Sequence, residues 1–341
     1  MAQALVGPDA LVLGIETSCD ETAAGVVRGG GEVLSNVIAS QADLHAPFGG
    51  VVPEIAARAH VERMPLVIDR ALREAGVTLA DLDAIAATRG PGLIGALLVG
   101  FATGKAMASA LRVPFSGVHH IEGHILAATL EVADIGLPFV ALIVSGGHTS
   151  LLAVRELGSY EVLGETLDDA AGEAFDKIAR LLDLGYPGGP AIDRLSKRGD
   201  AAAIDFPRAL RGKGLDFSYS GLKTAVVRYV RGLEAAGDRM KRADIAASFQ
   251  EAVVDGQVEK TLRAAATIEV DTIVLGGGVA ANTRLRDRLG AAAAERGLRL
   301  VVPAGRLCVD NGAMIAAAGF FRLRRGESTP LDASADASLA L

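Results

Sequence analysis

LVLGIETSCDETAAGVV (residues 11–27) and FVALIVSGGHTSLLAV (139–154) share one layout: an apolar run, a cluster of small polar residues, and a second apolar run. Two short apolar stretches around a turn rich in Gly, Ser, Thr and Asp read as a β-hairpin. Each is followed by more β-like sequence, GGEVLSNVI and GSYEVLGET, and then by long helical patterns. A unit repeated at about half the chain length is the mark of an internal duplication, with a cleft expected between the halves. Strand–turn–strand units also recur by coincidence, so the rest of the chain has to agree.

It does. A helical period is clear in 54–75, 92–111, 169–183, 220–235, 244–268 and 283–296. Short apolar runs ending in Gly or Thr at 84–88, 139–144 and 271–275 read as buried parallel strands. Alternating strands and helices define an α/β class. Segment 41–53 has little periodicity and is expected to be a loop; the polar tail after Gly326 is expected to fray.

The 341 residues suit two domains at roughly 100–200 residues each. Half are hydrophobic and 22% charged, which excludes wholesale disorder. With 34 basic and 41 acidic side chains the net charge is −7, so an RNA partner would need a local basic patch or a helper protein. Cys19 and Cys308 alone build neither a disulfide framework nor a thiolate zinc site. The first Arg is Arg28, so no signal peptide is expected, and Pro138 and SGGHTS interrupt the charge-free stretch 135–154. A cytoplasmic protein with no membrane span is the expectation.

Chemistry is most concentrated in His120-Ile121-Glu122-Gly123-His124. Two histidines four apart share a helix face and can reach one metal ion. In the metalloprotease H-E-x-x-H the Glu directly follows the first His. Here Glu122 sits about 200° round the helix from His120 and faces away, which opposes peptidase chemistry. A third ligand must come from elsewhere. Asp310 is the candidate, standing where a helix begins, where it can either cap that helix or bind an ion. A two-His, one-carboxylate set suits Fe(II), with Zn(II) as the alternative.

Three loops can hold an anion or a nucleotide: the three glycines of IVLGGGVAANTRLRDRL (273–289), SGGHT (145–149) and TSCDET (17–22). None is a P-loop or a GxGxxG. Three such loops in a duplicated α/β chain resemble the actin, Hsp70 and sugar-kinase superfamily. On that likeness the chain divides into 1–134 with 308–341, an actin-like lobe to which the last helix returns, and 135–307, a second lobe with the glycine-rich loop.

The blocks GIETSCDETA (14–23), GGVVPEIAARAHV (49–61), GPGLIGALLVG (90–100), HHIEGH (119–124), VSGGHTSL (144–151), EAFDKIARLL (173–182), YPGGP (186–190), DFSYSGLKTA (216–225), DIAASFQEAVV (244–254), GGGVAANTRLR (276–286) and DNGAMIAA (310–317) follow one another as in a single family. The chain resembles TsaD (Gcp/YgjD), the bacterial tRNA threonylcarbamoyladenosine synthesis family, over roughly residues 10–320.

The resemblance implies an acyltransferase that moves threonylcarbamoyl from threonylcarbamoyl-AMP to N6 of adenosine 37 in tRNAs reading ANN codons. It maps metal ligands onto His120, His124 and Asp310, with one Fe(2+) per subunit as the usual assignment. Ile143, Val144, Ser145, Gly146 and Gly147 match the segment that holds the adenylate. Asp176, Gly189, Asp193 and Asn282 match further substrate contacts, Asp193 at a position that varies in the family. Asp20 and Glu21 fall in the loop associated with activity. A TsaB-like paralogue forming a heterodimer and a TsaE-like ATPase are the implied partners, and the apolar helix 92–111 is a candidate face for the first.

Of two basic clusters, Arg208, Arg211, Lys213, Lys223, Arg228 and Arg231 become, given the resemblance, the expected tRNA contact; Arg322, Arg324 and Arg325 read as an ordinary solvated face. The competing classes are a metallopeptidase and a nucleotide-binding or ATP-hydrolysing relative of the kinases.

Overall fold

The structure, a computed structural model, describes residues 3–132 and 134–341. Contacts divide the chain into Met1–Ile135 with Pro303–Leu341, and Gly136–Val302. The expected return at 308 lies inside the segment that begins at Pro303.

The first unit opens with β1 (Leu11–Glu16), β2 (Glu21–Arg28) and β3 (Glu32–Ser40). It continues through α1 (Ala42–His45), α2 (Pro53–Ala75), β4 (Ala84–Gly90), α3 (Ile94–Leu111), β5 (Phe115–His119) and α4 (His120–Leu126). Its sheet runs β3-β2-β1-β4-β5. β1 lies antiparallel to β2 and parallel to β4, and β4 is parallel to β5.

The second unit holds β6 (Phe139–Val144), β7 (Thr149–Glu156), β8 (Ser159–Glu165), α5 (Ala171–Leu181), α6 (Gly188–Ser196) and α7 (Ser220–Ala236). α8 (Arg242–Ile268), β9 (Thr272–Gly276), α9 (Thr283–Ala294) and β10 (Arg299–Val301) complete it. Its sheet runs β10-β9-β6-β7-β8. β6 is antiparallel to β7 and parallel to β9, and β9 is parallel to β10. Strand for strand this repeats the first sheet. The hairpins that opened the sequence reading are β1–β2 and β6–β7, and the chain is a duplicated α/β fold of the actin, Hsp70 and sugar-kinase class.

The chain then returns to the first unit as α10 (Gly305–Cys308) and α11 (Gly312–Arg324). α11 lies against β1, β2 and β4. Its close approach depends on missing side chains: a Cβ on Gly14 would stand 2.2 Å from the Gly312 carbonyl oxygen, and one on Gly312 2.2 Å from the Gly25 nitrogen. That contact seats the start of α11, and with it Asp310, at the sheet.

The central strands β1 and β6 are buried almost throughout, so their sequences read as unbroken apolar runs. Among the described residues one helix, α3, is long and apolar enough to cross a membrane. In the fold it packs on β4 and α2.

Two expectations change. Segment 41–53 is not all loop: it contains α1 and a 3-10 turn at Ala46–Phe48. Its anchors are polar, since buried His45 lies 3.2 Å from Gln41 Oε1 through Nε2 and accepts from the Val52 N–H through Nδ1 at 3.3 Å. No apolar period announces such a segment. The tail after Gly326 is laced to the sheet by backbone bonds, the Thr329 N–H donating to the Phe115 carbonyl at 2.8 Å and the Asp336 N–H to that of Arg89 at 2.9 Å. Polar composition says nothing about backbone pairing.

Gly14→Ala is expected to destabilise the protein by at least about 1–3 kcal/mol, because the clash is with backbone that cannot rotate away. Gly232→Ala, in the exposed face of α7 with open space beyond it, is expected to gain about 0.5–1 kcal/mol. Denaturant midpoints of the two variants test the pair.

Candidate metal centre

β5 ends at His119, whose side chain caps the seven-residue α4, and the next residue is His120. One helical turn later comes His124. Both imidazoles are buried, with ring centroids 4.7 Å apart. The third group arrives with the returning chain. Asn311, not Asp310, caps α11: its Oδ1 accepts from the Met314 N–H at 2.9 Å, and its Nδ2 donates to the Val309 carbonyl at 2.8 Å. Asp310 turns instead to the histidines, with Oδ1 3.1 Å from His124 Nε2 and 3.6 Å from His120 Nε2. Ligand atoms of His120, His124 and Asp310 lie within 4.8 Å of one another.

The residues fit a metal ion. His124 is fully buried, yet neither ring nitrogen makes a hydrogen bond. The 3.1 Å approach to Asp310 has the distance but not the geometry of one. A buried imidazole with both nitrogens unsatisfied is costly, and a cation between these three groups would take the nitrogen that faces Asp310.

His120 is oriented from behind. Its Nδ1 lies 3.1 Å from Glu16 Oε2 and 3.2 Å from Ser18 Oγ, turning Nε2 toward Asp310. Glu16, wholly buried at the end of β1, also accepts from Thr88 Oγ1 at 2.6 Å and from the Ser18 N–H. Burial opposes its charge, but His120 and the Thr88 hydroxyl hold its carboxyl below the usual range. Burial likewise opposes a charged His120, and Asp310 and Glu16 overcome it, pushing that imidazole up to about 9. A binding cation must displace the proton.

Glu122 is buried on the other side of α4, its Oε2 3.2 Å from Arg322 Nη1 of α11. It is an anchor between helices. Glu122 is therefore not placed to act as the general base of a zinc peptidase.

Asp20 closes the turn between β1 and β2, and Glu21 opens β2. Burial, then the charge of Asp20 and of Asp310, pushes Glu21 up to about 9, while a hydrogen bond from Ser40 Oγ opposes the rise. Glu21 therefore keeps its proton through neutral pH. The turn itself is fixed by His60 of α2: Nε2 donates to the Cys19 carbonyl at 3.0 Å, and Nδ1 accepts from Thr22 Oγ1 at 2.8 Å. Burial lowers the pKa of His60, keeping it in this neutral form. Sequence reasoning singled out neither His60 nor Glu16, although both stand inside quoted blocks.

In the second unit, Ile143 and Val144 end β6, and Ser145 closes a tight turn with its N–H on the His148 carbonyl at 2.8 Å. Gly146 and Gly147 are exposed, and a Cβ on either would meet nothing within 4 Å. Gly189 is equally open. The polar members of the expected set are engaged with the protein. Asp176 accepts from the Gly188 N–H at 2.7 Å. Asp193 accepts from Thr283 Oγ1 at 2.9 Å. Asn282 caps α9 through the Leu285 N–H at 2.9 Å and donates to Gln250 Oε1 at 2.7 Å. The structure thus brings Asp193 and Asn282 together at the start of α9, with Gln250 as an unforeseen third member.

The basic clusters divide. Arg208 pairs with Asp205 and Asp255, and Lys223 with Asp169. Arg211, Lys213, Arg228 and Arg231 are exposed. Arg322 and Arg325 bind Glu122 and Glu327, and Arg324 donates to the Val6 carbonyl at 2.9 Å.

A family model described as TsaD, tRNA N6-adenosine threonylcarbamoyltransferase, matches residues 32–317. The tRNA N6-adenosine threonylcarbamoyltransferase of Clostridium botulinum (strain Kyoto / Type A2) is 52% identical over 97% of each chain. That of Caldicellulosiruptor bescii is 52% identical over 93% of this chain and 94% of its own. Among solved structures, T. kodakarensis HypF aligns with a TM-score of 0.62 at 17% identity, covering 95% of this chain and 49% of that one. Component A of Acidaminococcus fermentans (R)-2-hydroxyglutaryl-CoA dehydratase aligns at 0.55 and 14% identity, covering 92% and 99%. These two likenesses are of fold alone.

Fold and relatives together define a transferase built on the duplicated actin-type scaffold. More narrowly, the chain belongs to the TsaD family of tRNA N6-adenosine threonylcarbamoyltransferases.

Because Glu21 keeps its proton to about 9, against 4.5 for an ordinary Glu, the folded state binds more protons than the unfolded state between those values. The contribution of this group to stability is therefore fully present below pH 4.5 and lost as pH rises toward 9. Glu21→Gln is expected to melt like the parent at pH 4 and above it at pH 8, as read by thermal denaturation at the two pH values.

Proposed function

We propose that this transferase takes its acyl group from threonylcarbamoyl-AMP and delivers it to N6 of adenosine 37 in tRNAs reading ANN codons. His120, His124 and Asp310 would hold one Fe(2+) per subunit, Zn(2+) being the alternative. When bound, the ion supplies Lewis-acid polarisation and orientation of the carbamoyl oxygen. The observation that carries the reading is the fully buried His124, with both nitrogens unbonded, facing the Asp310 carboxylate and a second imidazole.

The bond formed joins adenine N6 to the carbamoyl carbon, and the bond broken releases AMP with its phosphate oxygen. AMP leaves readily, so the barrier lies in the weak, delocalised N6 amine. Placing it beside the carbon is worth about 7–11 kcal/mol. The base role for the N6 proton falls to Asp20, held in place by the His60 bond to the Cys19 carbonyl. Gly146 and Gly147, with open space over their backbone, suit the close approach of an adenylate. The adenine must be unstacked, which an anticodon-loop base allows at little cost.

For tRNA, Arg211, Lys213, Arg228 and Arg231 are the members of the first cluster exposed enough to meet phosphates. A TsaB-like paralogue would pair with the face formed by α2 and α3. There a cavity of about 590 Å³ is lined by Val61, Met64, Ile68, Leu72, Val99 and Met107, and Leu66 and Leu98 are more than half exposed. A TsaE-like ATPase and a cytoplasmic setting complete the proposal.

His124→Ala is expected to lose bound metal and at least 100-fold in formation of the modified adenosine, the order expected when a group stabilising the transition-state charge is removed. Metal analysis and nucleoside mass spectrometry with threonylcarbamoyl-AMP, tRNA and the partner proteins test it. Parent-level turnover in metal-free protein would remove the ion from the reaction. Charge reversal of Arg211 and Lys213 together is expected to weaken tRNA binding and flatten its salt dependence by about two counterions; unchanged binding would remove this loop from the tRNA path.

A further inference from the structure

We propose that segment 327–341 is a strap that positions the metal-binding helix through His119. The inference rests on the metal reading above and adds to it a residue and a segment outside the ligand set.

His119 is buried at the junction of β5 and α4. Its Nδ1 accepts from the Ile121 N–H at 3.1 Å, capping α4, and its Nε2 lies 3.0 Å from the Leu339 carbonyl oxygen. A carbonyl only accepts, so Nε2 must carry the hydrogen. In a neutral imidazole that leaves Nδ1 as the acceptor the cap requires. The two bonds select one tautomer and one ring orientation. Without the Leu339 carbonyl, the ring is no longer held to the tautomer that caps. α4 is short, this bond satisfies an N–H of its first turn that no carbonyl within the helix can reach, and the residue that follows His119 is the ligand His120.

The Leu339 carbonyl is itself held in place. Gly117 N–H donates to Thr329 Oγ1 at 2.8 Å, Lys105 Nζ to the Ala333 carbonyl at 2.8 Å, and Arg89 Nε to that of Ser334 at 3.0 Å. Gly92 N–H donates to the Ala337 carbonyl at 3.2 Å. The strap passes so close to β4 that a Cβ on Gly90 would stand 1.9 Å from the Asp336 carbonyl oxygen. It also covers β5, the last strand in its sheet, whose outer edge would otherwise be open.

The test uses Co2+ as the probe, read by its visible absorption and by titration of the full chain. His119→Ala removes both bonds. Deletion of 338–341 removes only the strap's end of the second. His119→Asn keeps a capping oxygen for the Ile121 N–H but is too short to reach Leu339, so it guards against a variant that fails to fold. Each is expected to bind Co2+ roughly tenfold or more weakly, the usual effect of losing a group that orients a ligand. Leu82→Ala, a cavity in the core of the same unit away from every site named above, is expected to lower the melting temperature and leave Co2+ affinity unchanged. Parent affinity in folded His119→Asn and in the deletion overturns the strap. So does equal weakening by Leu82→Ala, which would make the effect one of general stability. A parent chain that binds no Co2+ overturns the metal reading itself, and the strap's role with it.

Discussion

The first unit is organised around an imidazole that cannot satisfy itself. His124 is sealed inside the protein with both ring nitrogens unbonded, and the chain places a second imidazole and a carboxylate within reach of the same point. Packing alone does not explain it, because an apolar side chain would fill the same volume without the desolvation cost. The surroundings give up local convenience to keep it. Asp310 stands where a helix start would welcome a capping carboxylate, yet Asn311 takes the cap. Glycines at 14, 25 and 312 let α11 settle onto the sheet closely enough for Asp310 to meet α4.

The same unit contains a second concentration of charge, and the two communicate through Asp310. Its carboxylate raises Glu21 as it raises His120, with opposite consequences: Glu21 is kept neutral and His120 charged. A cation bound between the ligands would counter that carboxylate and so ease the ionisation of Glu21. An ion held there would thus be linked to proton affinity at the β1–β2 turn by Coulomb interaction. His60 and Glu16 fix the two ends of this arrangement, one holding the turn and the other the ring of His120.

The parts of the fold legible in the sequence were those written in side-chain periodicity. The buried strands β1, β4, β6 and β9 are apolar runs, and α8 and α9 repeat at helical spacing; all lie close to where their patterns put them. The spacing of His120 and His124 was legible for the same reason. What the sequence hid was carried by backbone and by lone polar side chains. α1 hangs on Gln41 and His45, the strap on carbonyls and N–H groups, and α6 begins on Pro and Gly, residues that read as a loop. Whether Asp310 caps or binds could not be decided from its place in the chain, since the answer depends on whether Asn311 captures the Met314 N–H. Arg208 and Lys223 looked like open charge because Asp255 and Asp169, which pair with them, are distant in sequence.

Duplication makes the division of labour within the chain a matter of a few residues. The turn 17–20 follows β1 as the turn 145–148 follows β6, in sheets of the same strand order and sense. In the first the sequence is Thr-Ser-Cys-Asp, flanked by Glu21, and the turn carries two carboxyls, of which Glu21 keeps its proton. In the second it is Ser-Gly-Gly-His, and the turn presents bare backbone with nothing standing over it. A carboxyl pair can move a proton but repels a phosphate; exposed glycine N–H groups accept a phosphate but cannot move a proton. One hairpin, copied, therefore offers two different chemistries because the copies diverged at the turn. The scaffold alone does not specify the reaction, as its two distant structural likenesses illustrate.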